Sequence, residues 1–396
     1  MIPELRERYN KAFTEEVYNE FKYAIEKKYD HLPVFRIAET PIFIPNDLKE
    51  KIIQAAEDII DVVVEPDFMQ NSASAIPDGL KVPQESDFTN FLQMDFGICI
   101  DEHGEYTPQL IEAQGFPSLY FFQNLLATKY RKFFDIPDNL THLFNGLTPE
   151  TYIQKLRDVI IGDADPETTV LLEVEPDKQA TVIDFYATKE ALGIESLCVT
   201  DLKVEGKDVY YYKGKKKIKV ERIFNRVIFD ELVPRTDLKR EFRFNMGANV
   251  HWVGHPNWFF RLSKYTLPFL KSPYVPESHF LHELDTIPSD LDNYVLKPLY
   301  SFAGSGVIIN LNRFDIEAIP DPENYILQRK VEYAPVIETP NVGSKCEIRV
   351  MFLWENRNER PLLVNNLVRL SKGKMVGVKY NKDKDWVGGS VGFFEK

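Results

Sequence analysis

Two lysines, a glycine loop and a spaced set of carboxylates are the residues here whose types and spacing suit chemistry. Tyr294-Val295-Leu296-Lys297-Pro298 reads as a strand ending in a lysine. A loop follows and closes on Gly304-Ser305-Gly306, and Val307-Ile308-Ile309 reads as the next strand. Backbone N–H groups in such a loop can approach phosphate oxygens because no Cβ stands in the way. The lysine adds a point charge against the same oxygens. The segment reads equally well as a hairpin with a glycine turn, since glycine punctuates most loops. It is neither the GxxxxGK[ST] pattern of the P-loop nor the GxGxxG dinucleotide fingerprint. A second lysine, Lys264, closes the run Trp258-Phe259-Phe260-Arg261-Leu262-Ser263-Lys264.

The carboxylates sit far earlier in the chain. Phe91 to Ile100 reads as a strand, Asp101-Glu102-His103-Gly104 as a turn and Tyr106 to Gln114 as the returning strand. Asp95 lies on the first strand and Glu112 and Gln114 on the second. Residues 112 and 114 share a face because strand side chains alternate with period two. Hard cations such as Mg²⁺ take carboxylate and carbonyl oxygens, so this set suits one. Leu110, Ile111 and Phe116 flank it, which puts Glu112 near a core, where a charge needs a partner. Mg²⁺ and an arginine both satisfy that need. Arg349, in Cys346-Glu347-Ile348-Arg349-Val350, and Arg369, in Asn365-Asn366-Leu367-Val368-Arg369, lie on predicted strands, where each faces either solvent or a polar cleft. Tyr325 to Gln328 forms a strand suited to line an adenine pocket. His251 and His255, among Trp252, Pro256 and Trp258, read as part of a packed loop rather than as acid–base groups.

The elements that must position these residues change texture along the chain. Residues 1–30 read as one helix, with apolar residues near every fourth position, and 47–63 as a second. Residues 66–87 read as a loop. Leu119 to Phe134 reads as a helix. Thr169 to Glu173, a helix around Gln179 to Leu192, and Ser196 to Thr200 form a strand–helix–strand order that argues for a small parallel sheet. Val209 to Tyr212 and Ile218 to Phe224 follow as strands. Between them, Lys213-Gly214-Lys215-Lys216-Lys217 reads as a solvated hairpin tip rather than an anion site. From Tyr294 onward, short strands alternate with turns: 294–296, 307–310, 325–330, 347–354 and 362–370.

Composition bounds the class. The 396 residues carry a net charge of −13, which disfavours nucleic acid and anionic membranes as partners. That acidity suits solubility first and a cationic co-substrate such as a polyamine second. Cys99, Cys198 and Cys346 are widely spaced, so neither a zinc site nor a disulfide framework is expected. With no apolar signal core or membrane-length apolar run, the expected location is the cytoplasm. Nothing in the sequence fixes an oligomeric state.

Together these pieces resemble the ATP-grasp superfamily in its circularly permuted form, a group that includes the synthetase domain of glutathionylspermidine synthase. The resemblance covers roughly residues 70–396. It rests on D-F-G-I-C-I…L-I-E-A-Q-G-F-P-S, R-L-S-K-Y-T-L-P-F-L and Y-V-L-K-P-L-Y-S-F-A-G-S-G-V, supported by Y-I-L-Q, E-I-R-V and V-R-L-S. In the usual order the lysines and glycine loop precede the metal pair; here Asp95…Glu112-Ala113-Gln114 comes first. The resemblance implies an α+β fold with an α/β portion. Its parts would be a helical lead-in (1–65), the metal-binding strands of the ATP-grasp core (66–135), a small parallel-sheet domain (136–245) and a nucleotide-binding part (246–396).

The resemblance also implies residue roles. Lys264 and Lys297 bind ATP phosphates, Gly304, Ser305 and Gly306 close over them, and Gln328 sits near the adenine. Asp95, Glu112 and Gln114 hold Mg²⁺, while Arg349 and Arg369, with Arg226, stabilise the transferred phosphoryl group. The implied activity is an ATP-dependent ligase joining a small carboxylate to an amine or thiol through an acyl phosphate, with release of ADP and phosphate. A small-molecule kinase and a nucleotide-binding protein without turnover are the alternatives. Two positions depart from the family: Gln114 stands where Asn is usual, and Gln93 stands where the glutathionylspermidine enzymes carry Arg.

Overall fold

The computed structural model describes residues 1–300, 306–374, 376 and 380–396. At its centre is a five-stranded antiparallel sheet in the spatial order Gly388–Ser390, Leu362–Ser371, Lys345–Leu353, Phe91–Ile100, Tyr106–Gln114. Side chains alternate across it. On one face, Leu92, Met94, Phe96 and Ile98 join Ile348, Val350 and Phe352 against the helix Asn46–Val64. That helix places Leu48, Ile52, Ala56, Ile59 and Val63 in one buried stripe, the 3.6-residue period of a core-facing helix. Each large aliphatic side chain so buried stabilises the fold by roughly 1.5–3 kcal/mol.

The other face is graded. It starts apolar at Phe91, Met351 and Leu353, packed with Tyr120 and Phe121. Further along the same strands it turns polar, at Gln93, Asp95, Arg349 and Glu347. Strand register decides which of these meet. Asp95 lies opposite Arg349 on one side and Glu112 on the other, and Glu347 lies opposite Arg369. A slip of one residue would send all of them into the apolar layer, so the hydrophobic face fixes the arrangement of the charges.

Among the described residues, four smaller sheets accompany this one. His251–Val253, Arg222–Asn225, Thr169–Glu173 and Glu195–Cys198 form an all-parallel sheet in that order. An antiparallel sheet runs Ser278–Phe280, Tyr325–Arg329, Tyr294–Pro298. Lys203–Glu205, Asp208–Lys213 and Lys216–Val220 make a meander. Finally, Gly392–Glu395 pairs with Ile42–Phe43 and with Leu140–Thr141, tying the segment before residue 65 to the last strand. No described helix is long and apolar enough to cross a membrane.

Several sequence expectations change. The helix expected over 1–30 is two, Pro3–Ala12 and Glu15–Tyr29, because Phe13 is extended and Thr14 caps the second through Val17 N–H. The strand expected over 218–224 divides after Val220, its halves joining different sheets. The strand expected over 307–310 is reduced to a single bridge between Ile308 and Leu296. The lysines at 213–217 form a hairpin tip, where Lys213 pairs with Glu195 at 3.3 Å, Lys216 with Glu167 and Lys217 with Glu205.

Candidate functional site

The polar end of the central sheet holds a compact charge network. Arg349 clasps Asp95 side-on, with Nη2 2.7 Å from Oδ2 and Nε donating to Oδ1. Arg369 donates to Asp95 Oδ2 and pairs with Glu347. Glu112 Oε1 lies 3.7 Å from Arg349 Nη2. Gln93 Oε1 accepts from Arg349 Nη1 at 3.1 Å and from the Gln114 amide, while its own amide donates to Ser118 O. The Tyr333 hydroxyl donates to Glu347 Oε2 at 2.6 Å. Burial alone would raise the Asp95 carboxyl, yet Arg349 and Arg369 hold it below the usual carboxylate range. Glu347 is pushed up by burial, only partly offset by Arg369.

Tyr333 reaches Glu347 across Gly97. A Cβ at Gly97 would sit 2.8 Å from the Tyr333 ring. Gly97→Ala is expected to displace that ring at a cost of about 1–3 kcal/mol, as for other overpacked sites. Urea denaturation checks this; an unchanged midpoint would show that the ring yields freely.

The lysines approach from a different sheet. Lys297 lies on Tyr294–Pro298, opposite Ile326, and shares a face with Gln328, which lies opposite Val295. Lys297 Nζ donates to Ile111 O at 3.2 Å. That carbonyl is available because the ladder is bulged: Asp95 pairs with Glu112 and Phe96 with Leu110, leaving Ile111 outside the register. Burial, with Lys264 nearby, lowers the Lys297 ammonium to about 8, although Glu112 and Glu347 pull the other way. Lys264 is itself buried, at the start of the turn Lys264–Phe269, which is capped by Ser263. Lys297 therefore lies within electrostatic reach of Lys264, Glu112 and Glu347, and the two glutamates lie within reach of Arg369, while Lys264 also faces Asp230.

The remaining expected site residues fall as follows. Gln328 is buried, its amide donates to Ser278 Oγ at 3.1 Å, and its carbonyl oxygen has no hydrogen-bond partner among the described residues. Gly304 and Ser305 lie outside the described residues. Gly306 has φ +71°, and a Cβ there would come within 2.7 Å of Pro298, so backbone geometry already requires glycine. Arg226 stands apart from the network. It bonds Asp184 at 3.0 Å and lies over the rings of Phe116 and Phe185, while Asp184 accepts the N–H groups of Phe121 and Phe122 at a helix start. Asp95 is not presented as an open ligand, since both its oxygens accept from arginine. Among the described residues no group of three or more His, Cys, Asp or Glu side chains is arranged to hold a metal ion. His255 braces a loop, with Nε2 3.1 Å from Pro83 O.

Some functional candidates were missed from the sequence. Glu347 was legible in principle, two residues before Arg349 and so on its face. Tyr333 carries no local signal. Glu173, at the carboxyl end of a parallel strand, is buried and its carboxyl is pushed up to about 8, with Arg226 offsetting part of the burial. Such strand ends commonly line ligand crevices.

No protein-family model matches the sequence, and no curated protein matches it. Among solved structures, the chain is similar to a glutathione synthetase like-effector (GSS30) from Globodera pallida in apoform. The two share 11% sequence identity at a TM-score of 0.59, over 97% of this chain and 98% of that one. At that identity the likeness concerns the fold: a mixed α/β fold of the glutathione synthetase-like kind.

Proposed function

We propose that this chain binds Mg·ATP between Lys264, Lys297 and Glu112, and is an ATP-grasp ligase of permuted order that joins a carboxylate to an amine or thiol. The observation that carries this reading is the pair of buried lysines, Lys297 within reach of both Lys264 and Glu112. Two ammonium groups held close in a buried site repel each other, and a polyphosphate offsets both. Glu112, together with the Gln114 carbonyl oxygen left free to accept, suits Mg²⁺. Asp95 serves here to hold Arg349 and Arg369 rather than to meet the ion. When bound, Mg·ATP would supply the phosphoryl group that activates the carboxylate. The arginines and lysines would hold the charge of that group in a preorganised, poorly solvated site. The Gln328 carbonyl oxygen suits an amino donor of the base.

The test is a screen of amino acids, peptides and polyamines with the purified protein, read by ADP release and product mass. The expected result is ADP release that needs both a carboxylate and a nucleophile. A phosphorylated metabolite formed without a nucleophile would instead make the chain a kinase. One observation favours a second reading, nucleotide binding without turnover: Arg349 and Arg369 already occupy Asp95. ATP binding with no ADP release in any mixture would support it.

Lys297 also sets a pH dependence. Its ammonium is lowered to about 8 from 10.5, so between those values the free protein holds it neutral while the unfolded chain holds it charged. The charged form therefore costs stability below about pH 8, and that cost fades as pH rises toward 10.5. A bound polyphosphate favours the charged form. Nucleotide affinity is thus expected to fall as pH rises through about 8, with proton uptake on binding above it. Calorimetry in buffers of different ionisation enthalpy measures both; constant affinity and no proton uptake across that window would contradict the assignment.

A further inference from the structure

The loop after the short helix Phe229–Leu232 is strongly basic for a chain of net charge −13: Arg235, Lys239, Arg240 and Arg243 stand against Asp237 and Glu241. Its acids are already engaged. Asp237 takes Arg235 through both oxygens, and Glu241 accepts from Lys203 and from Val204 N–H. Glu175, which also meets Arg235, accepts from Lys178 as well. Among the described residues, Arg240 and Arg243 have no carboxylate partner. Arg240 is half-buried, and its Nη1 is sealed from solvent with no acceptor.

These two guanidinium groups line a cavity of about 510 Å³ whose walls include Phe229, Leu232, Leu238 and Phe244. Arg243 lies close enough to Arg240 to disfavour its charge further, adding to the effect of burial. A partly buried cation without a counter-charge is costly, and a like charge beside it adds to that cost. An anion entering the cavity removes both terms. The planar fork of a guanidinium suits carboxylate and phosphate oxygens, whereas the aromatic and aliphatic walls suit an apolar body.

We propose that this cavity is a binding site for a small organic anion, a carboxylate or phosphate on an apolar body. The anionic group lies against Arg240 and Arg243, and the body packs against Phe229 and Phe244. Its lining includes neither Lys264, Lys297 nor Glu112. A second cavity shares Leu80, Phe229 and Val233 with it and extends to Leu299 and Tyr300, just past Lys297.

The experiment titrates the full chain with hexanoate, hexyl phosphate, inorganic phosphate and hexylamine at constant ionic strength. Saturable binding of hexanoate, hexyl phosphate or both is expected, and the tighter of the two identifies the anionic group. Arg240→Gln/Arg243→Gln is expected to weaken that binding by about ten-fold or more, as loss of charge-assisted hydrogen bonds does. Exposed Lys215→Gln is expected to leave it unchanged, as is Lys297→Ala, which separates this site from the ATP reading. Circular dichroism of the double variant confirms that it folds. Three results would each overturn the proposal: no saturable binding of either organic anion, equal affinity in the double variant, or equal affinity for hexylamine. Inorganic phosphate binding as tightly as hexyl phosphate would remove the apolar body from it.

Discussion

Lys297→Ala is expected to lower ADP release by about 10²–10³-fold, the usual effect of removing one preorganised group that stabilises transferred charge. The same variant is expected to be as stable as the parent or more so. In the unliganded protein Lys297 is buried near Lys264, and burial lowers its ammonium to about 8. Removing it relieves the cost of burial and the repulsion, which outweigh the hydrogen bond to Ile111 O and the attraction of Glu112 and Glu347 that go with it. A purely structural lysine would behave the opposite way, with lost stability and retained turnover. Turnover assays and thermal melts on one preparation separate the two.

The second large effect concerns stability. Asp95→Asn leaves Arg349 without its side-on carboxylate, and Arg369 with Glu347 alone. Breaking a buried ion pair by removing one partner costs about 3–5 kcal/mol; the low end is expected here, because Glu112 at 3.7 Å from Arg349 and Glu347 beside Arg369 still offset part of the charge. The expected loss in urea denaturation is of that size. Asp95→Asn/Arg349→Met is expected to recover part of it, since two neutral groups avoid the stranded charge. The sign with pH follows from the carboxyl. It is held below its usual range, so its stabilisation is present at neutral pH and is lost as pH falls through the folded value. A single variant within about 0.5 kcal/mol of the parent, the range of ordinary surface substitutions, would show that the network contributes little.

The sequence carried the local parts of this arrangement. Asp95, Glu112 and Gln114 could be placed on paired strands because Asp101-Glu102-His103-Gly104 is a strong turn and strand side chains alternate. The parallel sheet was legible from its strand–helix–strand order. The pairing of Asp95 with Arg349 was not, because 254 positions separate them and only register across the sheet aligns them. The bulge at Ile111, which frees the carbonyl that Lys297 meets, has no residue signature. Two-residue strands such as Ile42–Phe43 form only once Gly392–Glu395 is beside them. Arg226 read as a charge for the site only through the family resemblance. Its structural bonds go instead to Asp184, on a helix whose buried acid could not be matched to it from sequence.

Of the lysine and the glycine loop that follows it, the loop is the weaker sign of a phosphate site. Gly306 is explained by its backbone angle and by Pro298, whether or not a phosphate binds. The lysine gains meaning from its neighbours: Lys264 on another segment, Glu112 within electrostatic reach and the bulged carbonyl of Ile111. A surface ion pair needs none of this burial, and a core lysine would not be set near a second one.

The central claim is that Lys264 and Lys297 together receive a nucleotide polyphosphate beside Glu112. Calorimetric titration of Mg·ATP into the parent and into Lys264→Ala/Lys297→Ala tests it most directly. The account predicts saturable single-site binding in the parent, weakened by about 100-fold or more in the double variant, from the loss of two charge-assisted contacts. Equal affinity in the two proteins, or no binding by the parent, would contradict it.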